Sequence, residues 1–181
     1  MQYADQSRPS VYRLSPTAYR LLVSGTRQGN RIHVNNHPDY TILIVEDEPD
    51  ILSLLQEHFA EEGFKTLTAT TGTEAIMQAK TKHPDVILLD VMMPGMSGFD
   101  VCNILRDFPE TRTTPIIFLT AVAEMPRKIM GLRLGANDYV TKPFDLRELT
   151  ARVEVALRTT AGRTQEPAGS DAGPTVVARG S

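Results

Sequence analysis

Four places in the sequence put a carboxylate, a hydroxyl or an ammonium group at the end of a short apolar run. Glu46 and Asp47 follow TILIV, Asp90 ends VILLD, Thr120 ends IIFLT, and Lys142 ends DYVTK. A carboxylate at the end of a buried run is costly unless a charged or hydrogen-bonding group pairs with it. These residue types therefore indicate one shared site, provided that the runs carrying them are neighbours.

Such a set of side chains could bind a divalent cation and accept a phosphoryl group. Closely spaced carboxylates repel one another, and a hard cation such as Mg²⁺ or Mn²⁺ relieves that repulsion. One of them, Asp90, could attack phosphorus and become an aspartyl phosphate. The Lys142 ammonium and the Thr120 hydroxyl suit the phosphoryl oxygens as hydrogen-bond donors.

Alternating strands and helices must position these side chains. Strands are predicted at 41–45, 64–70, 86–90, 115–121 and 138–143, and helices from Pro49 up to Gly63 and at 73–82, 99–107, 125–134 and 145–158. Five strand–helix units predict an α/β fold, a flavodoxin-like doubly wound parallel sheet of order 2-1-3-4-5 with helices on both faces. Strands one and three are then neighbours, and ligands bind at their carboxyl ends, where the acidic residues should meet.

Both ends of the chain are predicted to lie outside this domain, which covers residues 40–161. Residues 1–39 lack sustained periodicity and are rich in polar residues, which predicts a mainly disordered N-terminal extension. Residues 162–181 have the composition of a flexible tail. Nothing after Arg158 has the length of a further folded domain, so no output domain is expected.

Composition favours a cytoplasmic protein that does not bind nucleic acid directly. Residues 41–160 carry 12 basic and 18 acidic side chains, which argues against direct binding of nucleic acid. No apolar run has the length that a bilayer requires. The single cysteine, Cys102, fits a reducing compartment and is expected in the core, whereas His58 is expected at the surface.

The motifs jointly resemble the receiver domain of response regulators in two-component signalling. The matching strings are ILIVEDEPD, ILLDVMMPGMSG, IIFLTA and DYVTKPF, and the resemblance covers about residues 40–160. It implies a switch that catalyses only its own phosphorylation and dephosphorylation, with a histidine kinase or phosphotransfer protein as the donor. Without an output domain, the chain is most similar to stand-alone, chemotaxis-type receivers, which act on protein partners.

The resemblance implies a metal-binding phosphorylation site. Carried over residue by residue, Asp90 matches the phospho-acceptor, and Glu46 and Asp47 match the acidic metal-binding pair, here Glu-Asp rather than Asp-Asp. The family's further protein ligand is a backbone carbonyl two residues after the acceptor, which is that of Met92. The implied cofactor is Mg²⁺ or Mn²⁺.

The resemblance also implies which residues respond to phosphorylation. Thr120 and Lys142 match the residues that contact the phosphoryl group, and Tyr139 matches the aromatic switch position. Pro143 matches a proline whose preceding peptide bond is usually cis in the family.

Phosphorylation is expected to alter the surface formed by the predicted helix 125–134, the strand 138–143 and the last helix, 145–158. Two interpretations of the charges there remain open. In one, acidic and basic side chains cross-pair in a two-fold homodimer; in the other, Glu148 and Arg152 form an intrahelical pair on a solvated surface. The charges concerned are Arg127, Lys128, Arg133, Asp138, Glu148 and Arg152.

Each site residue also has a simpler structural interpretation. Glu46 and Asp47 could be acidic residues at a helix start, where the helix dipole favours them. Asp90 could be a turn residue, Thr120 could reflect strand propensity, and Tyr139 could be core packing. The joint occurrence of all five favours the functional interpretation.

Two other classes of protein remain as alternatives. A Mg²⁺-dependent phosphohydrolase with an aspartyl nucleophile typically has a second acid two residues after the nucleophile, and this chain has Met92 there. A flavodoxin-like electron carrier would bind phosphate in a Thr-rich loop such as TATTGTEAI, 68–76. In flavodoxins that loop follows strand one rather than strand two, so a helix start with Thr or Gly as N-cap is the better interpretation.

Overall fold

The computed structural model describes His37, residues 39–121 and residues 137–161, with side chains to residue 159. Along these ranges the elements are β1 (Thr41–Val45), α1 (Pro49–Glu61), β2 (Lys65–Ala69), α2 (Gly72–Lys82), β3 (Val86–Asp90), α3 (Gly98–Asp107), β4 (Ile116–Ala121), β5 (Asp138–Lys142) and α4 (Leu146–Ala161). The helix predicted at 125–134 and the segments 1–36 and 162–181 lie outside the described residues. The predicted bounds of β1 and β3 match the observed ones, and the other predicted boundaries within the described residues differ by at most three residues.

All five strands form one parallel sheet of order β2-β1-β3-β4-β5, which confirms the predicted fold. The register places Val45 opposite Leu89 and Asp90 opposite Leu119. Because the strands are parallel and in near register, the carboxyl ends of β1, β3, β4 and β5 share one edge of the sheet. That edge positions the polar residues of the sequence motifs.

Helices cover both faces of the sheet, so its central strands are buried on both sides. Ile44 packs with Leu55 of α1 and Leu149 of α4 in one cluster of buried residues. Leu43, the neighbouring residue on β1, packs with Leu105 of α3 in the other cluster. Alternate residues of a strand point to opposite faces, so continuous apolar strands are what a two-sided core requires. Cys102 is fully buried in the second cluster, as predicted.

Side-chain caps define the starts of α2 and α3. Thr71 accepts a hydrogen bond from the Glu74 N–H at the start of α2, which confirms the helix start predicted within TATTGTEAI. Ser97 and Asp100 form a reciprocal capping box at the start of α3. These caps satisfy backbone donors that the helix itself leaves unpaired.

His58 was expected at the surface, and the structure corrects this expectation. The imidazole is half-buried between α1 and α4, with Nε2 2.8 Å from the Thr150 Oγ1. The Thr150 hydroxyl also lies 3.1 Å from the Leu146 carbonyl oxygen, so it can donate its proton there and accept one from His58 Nε2. Burial lowers the pKa of His58 below its ordinary value, while the carboxylates of Glu62, Glu61 and Asp145 oppose that shift.

None of the helices in the described ranges combines the length and the apolar character that crossing a bilayer requires.

Candidate functional site

Asp90 is held at the sheet edge by the turn that follows it. Its side chain is 3 % exposed. Val91 N–H donates to the Leu119 carbonyl and Gly98 N–H donates to the Val91 carbonyl, each at 3.0 Å, so the chain folds back on β3. A Cβ at Gly98 would lie 2.3 Å from the Asp90 carbonyl oxygen. Only glycine therefore allows α3 to begin directly against the backbone of Asp90.

Three carboxylates meet at this edge, as the sequence predicted. Glu46 continues β1 through a hydrogen bond from its N–H to the Ala69 carbonyl, at 3.1 Å, and is fully buried. Asp47 follows it in a half-buried position. One oxygen from each of Glu46, Asp47 and Asp90 lies within 4.8 Å of the others. Oxygen ligands about 2 Å from Mg²⁺ are separated by roughly 3–4 Å, so this oxygen set fits a divalent cation.

Lys142 supplies the positive charge that these carboxylates require. Its Nζ lies 2.6 Å from Glu46 Oε2 and 3.2 Å from Asp90 Oδ1. The Lys142–Pro143 bond is cis, as the resemblance implied. Burial raises the pKa of the Glu46 carboxyl to about 8; the Lys142 ammonium lowers it and the Asp90 charge raises it. The site is therefore a buried cluster of acids with one ammonium bound to two of them.

Thr120 lies on β4, the strand between those of Asp90 and Lys142, and Tyr139 lies on β5, the strand that ends on Lys142. Thr120, near the end of β4, is 4 % exposed, and its Oγ1 donates to the Ala121 carbonyl at 3.3 Å. Tyr139, on β5, is partly buried and packs against the core cluster that contains Phe118. This packing agrees with the structural interpretation of Tyr139, and its role as a switch stays a prediction.

Two features of the site were not predicted from the sequence. The direct ion pair of Glu46 with Lys142 was missed because the resemblance assigned Glu46 to the metal and Lys142 to the phosphoryl group. The contact of Gly98 with Asp90 was missed because the motif MPGMSG was quoted without a role for its last glycine. The available signals were the extra methylene of Glu46 and the position of Gly98 directly after the N-cap Ser97.

Comparison with known proteins identifies the family. Residues 42–154 match the response regulator receiver domain family. The chain is 47 % identical over 117 residues to the Bacillus subtilis alkaline phosphatase synthesis transcriptional regulatory protein PhoP, covering 65 % of this chain and 48 % of PhoP. It is 45 % identical to the Rhizobium meliloti phosphate regulon transcriptional regulatory protein PhoB, covering 65 % and 52 %. The chain thus spans about half the length of these curated relatives.

Solved structures show the same similarity. A putative response regulator from Chloroflexus aurantiacus superposes with a TM-score of 0.63 at 38 % identity, covering 66 % of this chain and 98 % of that one. The Vibrio cholerae chemotaxis response regulator CheY4 superposes with a TM-score of 0.62 at 30 % identity, covering 65 % and 98 %. The chain belongs to the response regulator receiver domain family of two-component systems. Domains of this family are signalling switches rather than metabolic enzymes, and they bind Mg²⁺ at an acidic cluster like that of Glu46, Asp47 and Asp90.

Proposed function

We propose that this domain is a phosphorylation-dependent switch whose acceptor is Asp90. A histidine kinase or a phosphotransfer protein would supply the phosphoryl group. The observation that carries this proposal is the environment of Asp90, a buried carboxylate with a cation-binding cluster on one side and the Lys142 ammonium 3.2 Å away on the other. A carboxylate with these neighbours can act as a nucleophile toward phosphorus.

In the proposed reaction, an Asp90 carboxylate oxygen forms a bond to phosphorus. The bond from phosphorus to the donor's leaving atom breaks, and the leaving group keeps the electron pair. Mg²⁺, held by Asp47, Asp90 and the Met92 backbone carbonyl within the acidic cluster of Glu46, would neutralise charge on the transferred group. These residues fit a cation because one oxygen from each of Glu46, Asp47 and Asp90 lies within 4.8 Å of the others.

Lys142 and Thr120 would stabilise the phosphorylated form. Lys142 Nζ already lies against Asp90 Oδ1, so a phosphoryl group on Asp90 would bring its oxygens within reach of the same ammonium. Thr120 has a hydroxyl whose present bond, to the carbonyl of Ala121, is long at 3.3 Å. A charged phosphoryl oxygen is a stronger acceptor, so we propose that the hydroxyl turns to it and that Tyr139 reorients in response.

The surface that would change after phosphorylation of Asp90 includes β5 and α4. On it, Arg152 donates to Asp138 at 2.7 Å and to Glu148 at 2.8 Å, so these three members of the predicted set of charges pair within one chain. Val155 lies one turn further along α4 and is 55 % exposed. We propose that a downstream protein, or a second copy of the chain, binds this surface after phosphorylation. The partners and a cytoplasmic location are parts of this proposal. The sequence has a single cysteine, Cys102, which is buried, and this supports the proposed location.

Incubation with acetyl phosphate and Mg²⁺, followed by intact mass measurement, tests this function. A receiver gains one phosphoryl group, and the gain disappears when the metal is chelated. The alternative, a Mg²⁺-dependent aspartyl-nucleophile phosphohydrolase, would release phosphate continuously instead. Met92, 39 % exposed two residues after Asp90, offers no acid for that second reaction. Continuous turnover without an accumulated phosphoprotein would overturn the proposal.

A further inference from the structure

His37 connects the chain that precedes β1 to α4. Its imidazole stacks on the Phe64 ring, with the ring centroids 4.4 Å apart and an angle of 10° between the planes. Its Nε2 lies 3.5 Å from Glu154 Oε1 on α4, and the two side chains are 21 % and 23 % exposed. The preceding residues, 1–36, are therefore attached to the domain at a defined point between α4 and the start of β2.

The end of α1, near this point, is acidic. Glu57 and Glu61 are exposed and lie one turn apart on the same side of the helix, and Glu62 follows directly. The sequence of α1 contains no lysine or arginine. Two carboxylates four residues apart on a helix repel each other, so a positive charge brought to this surface would be favourable.

The acidic surface continues onto α4. His58 of α1 contacts Thr150 of α4, and Glu154 lies one turn after that threonine. Burial lowers the pKa of His58, and the charges of Glu62 and Glu61 oppose that shift, so both carboxylates lie close to the α1–α4 contact. The acidic face of the domain is formed by Glu57, Glu61, Glu62 and Glu154.

The segment attached at His37 carries the opposite charge. Residues 1–36 contain five arginines, one aspartate and no lysine or glutamate. Lys65 and Arg158 lie beside the acidic face in the sequence, but its four carboxylates outnumber these two cations. A tethered segment meets a neighbouring surface at an effective concentration on the order of millimolar, so individually weak charge–charge contacts are sufficient for binding.

We propose that residues 1–36 bind the acidic face of their own domain, with their arginines against its carboxylates. A segment without sustained periodicity can bind in this way without adopting one fixed conformation. The bound segment covers the exposed side of α1 and part of α4, so another protein that binds there has to displace it. This interaction is separate from phosphorylation of Asp90 and does not depend on it.

Paramagnetic broadening of amide resonances in the full chain tests this proposal. A nitroxide is attached through Ser10→Cys, 27 residues before His37. Cys102 is fully buried, which directs the label to the introduced thiol. A free chain of that length has a root-mean-square span of about 30 Å, so an unbound segment would bring the label near both faces of the sheet.

Binding predicts that the broadening is restricted to one face. We expect the amides of Glu57 and Glu61 to be broadened severalfold more than those of Met77 and Asn103. The latter two are exposed residues of α2 and α3, the helices that pack on the opposite face of the sheet. Because the contacts are between charges near the surface, the difference should disappear in about 1 M NaCl.

Charge reversal identifies the surface that binds the segment. Glu57→Lys combined with Glu61→Lys should remove the difference between the faces. Asp107→Lys combined with Glu110→Lys, two exposed changes at and after the end of α3, is the charge-matched control and should leave the difference intact. Each variant is first checked for an intact unfolding transition.

Three results would overturn the proposal. These are equal broadening of both faces in the unmodified domain, no broadening of α1, and broadening of α1 that persists after reversal of Glu57 and Glu61. Loss of the broadening in both double variants would also overturn it, because the binding would then depend on net charge rather than on the acidic face.

Discussion

Asp90 Oδ1 and Lys142 Nζ lie 3.2 Å apart, although the two residues end strands that are separated by β4. The long lysine side chain spans this strand at the carboxyl edge of the sheet and reaches a carboxylate that is almost fully buried. The pair explains why an apolar strand can end on an acid without a large penalty. It also places an ammonium where a phosphoryl group on Asp90 would develop charge.

Gly98→Ala should destabilise the domain by about 3 kcal/mol, because the new Cβ would lie 2.3 Å from the backbone oxygen of Asp90. Gly72→Ala is the matched control, since Gly72 also begins a helix. A Cβ there would meet side-chain atoms of Val101 and Met96, at 2.8 and 2.9 Å, which can shift more easily than a backbone oxygen. We expect a smaller cost for the control, about 1–2 kcal/mol. Urea unfolding measures both, and equal costs would contradict the proposed role of Gly98.

A second prediction concerns the lifetime of the phosphorylated form. In the family, residues two positions after the acceptor and two after the threonine influence attack by water, and here they are Met92 and Val122. Neither side chain can orient a water as a carboxamide or carboxylate could, so we expect slow self-dephosphorylation. Met92→Asn combined with Val122→Glu should accelerate phosphate loss severalfold, followed by intact mass over time. An unchanged rate in the double variant would count against this explanation; Val122 lies outside the described residues.

Acid should weaken the domain partly through His58. Burial lowers the pKa of the folded imidazole below 6.5, so between that pKa and 6.5 the unfolded chain binds the proton more readily. The stabilising contribution is therefore present above pH 6.5 and is lost as pH falls through the folded pKa. His58→Gln can still donate to Thr150 but does not titrate. Its unfolding free energy should fall less than that of the wild type between about pH 7.5 and about pH 5.5, and parallel pH profiles would refute this.

The prediction about self-association concerns Arg152. With beryllium fluoride as a phosphoryl mimic, we expect sedimentation to detect a dimer that Arg152→Glu removes, because the variant places an acid between Asp138 and Glu148. Arg158→Glu, an exposed change on a different side of α4, is the charge-matched control. A monomer with and without the mimic would reject the homodimer and leave the same surface to a different protein.

The sequence predicted the fold and the composition of the acidic cluster because both follow from local patterns. Apolar runs with polar ends locate the strands, and a parallel sheet then brings the ends of β1 and β3 together without further information. Side-chain reach could not be predicted in this way. The preference of Lys142 for Glu46 depends on one methylene group and on burial, and the contact of His58 with Thr150 joins residues 92 positions apart. The motif contains Gly98, but the need for a glycine there depends on the position of the Asp90 carbonyl oxygen, which the sequence does not show.

Intact mass after incubation with acetyl phosphate and Mg²⁺ shows whether Asp90 accepts the phosphoryl group. Asp90→Asn keeps the shape of the side chain and removes the nucleophile, while Asp107→Asn, an exposed change at the end of α3, is the control. We expect one added phosphoryl group on the wild type and on Asp107→Asn, and none on a folded Asp90→Asn protein. An Asp90→Asn protein that gains the group at a rate similar to the wild type would contradict this role of Asp90.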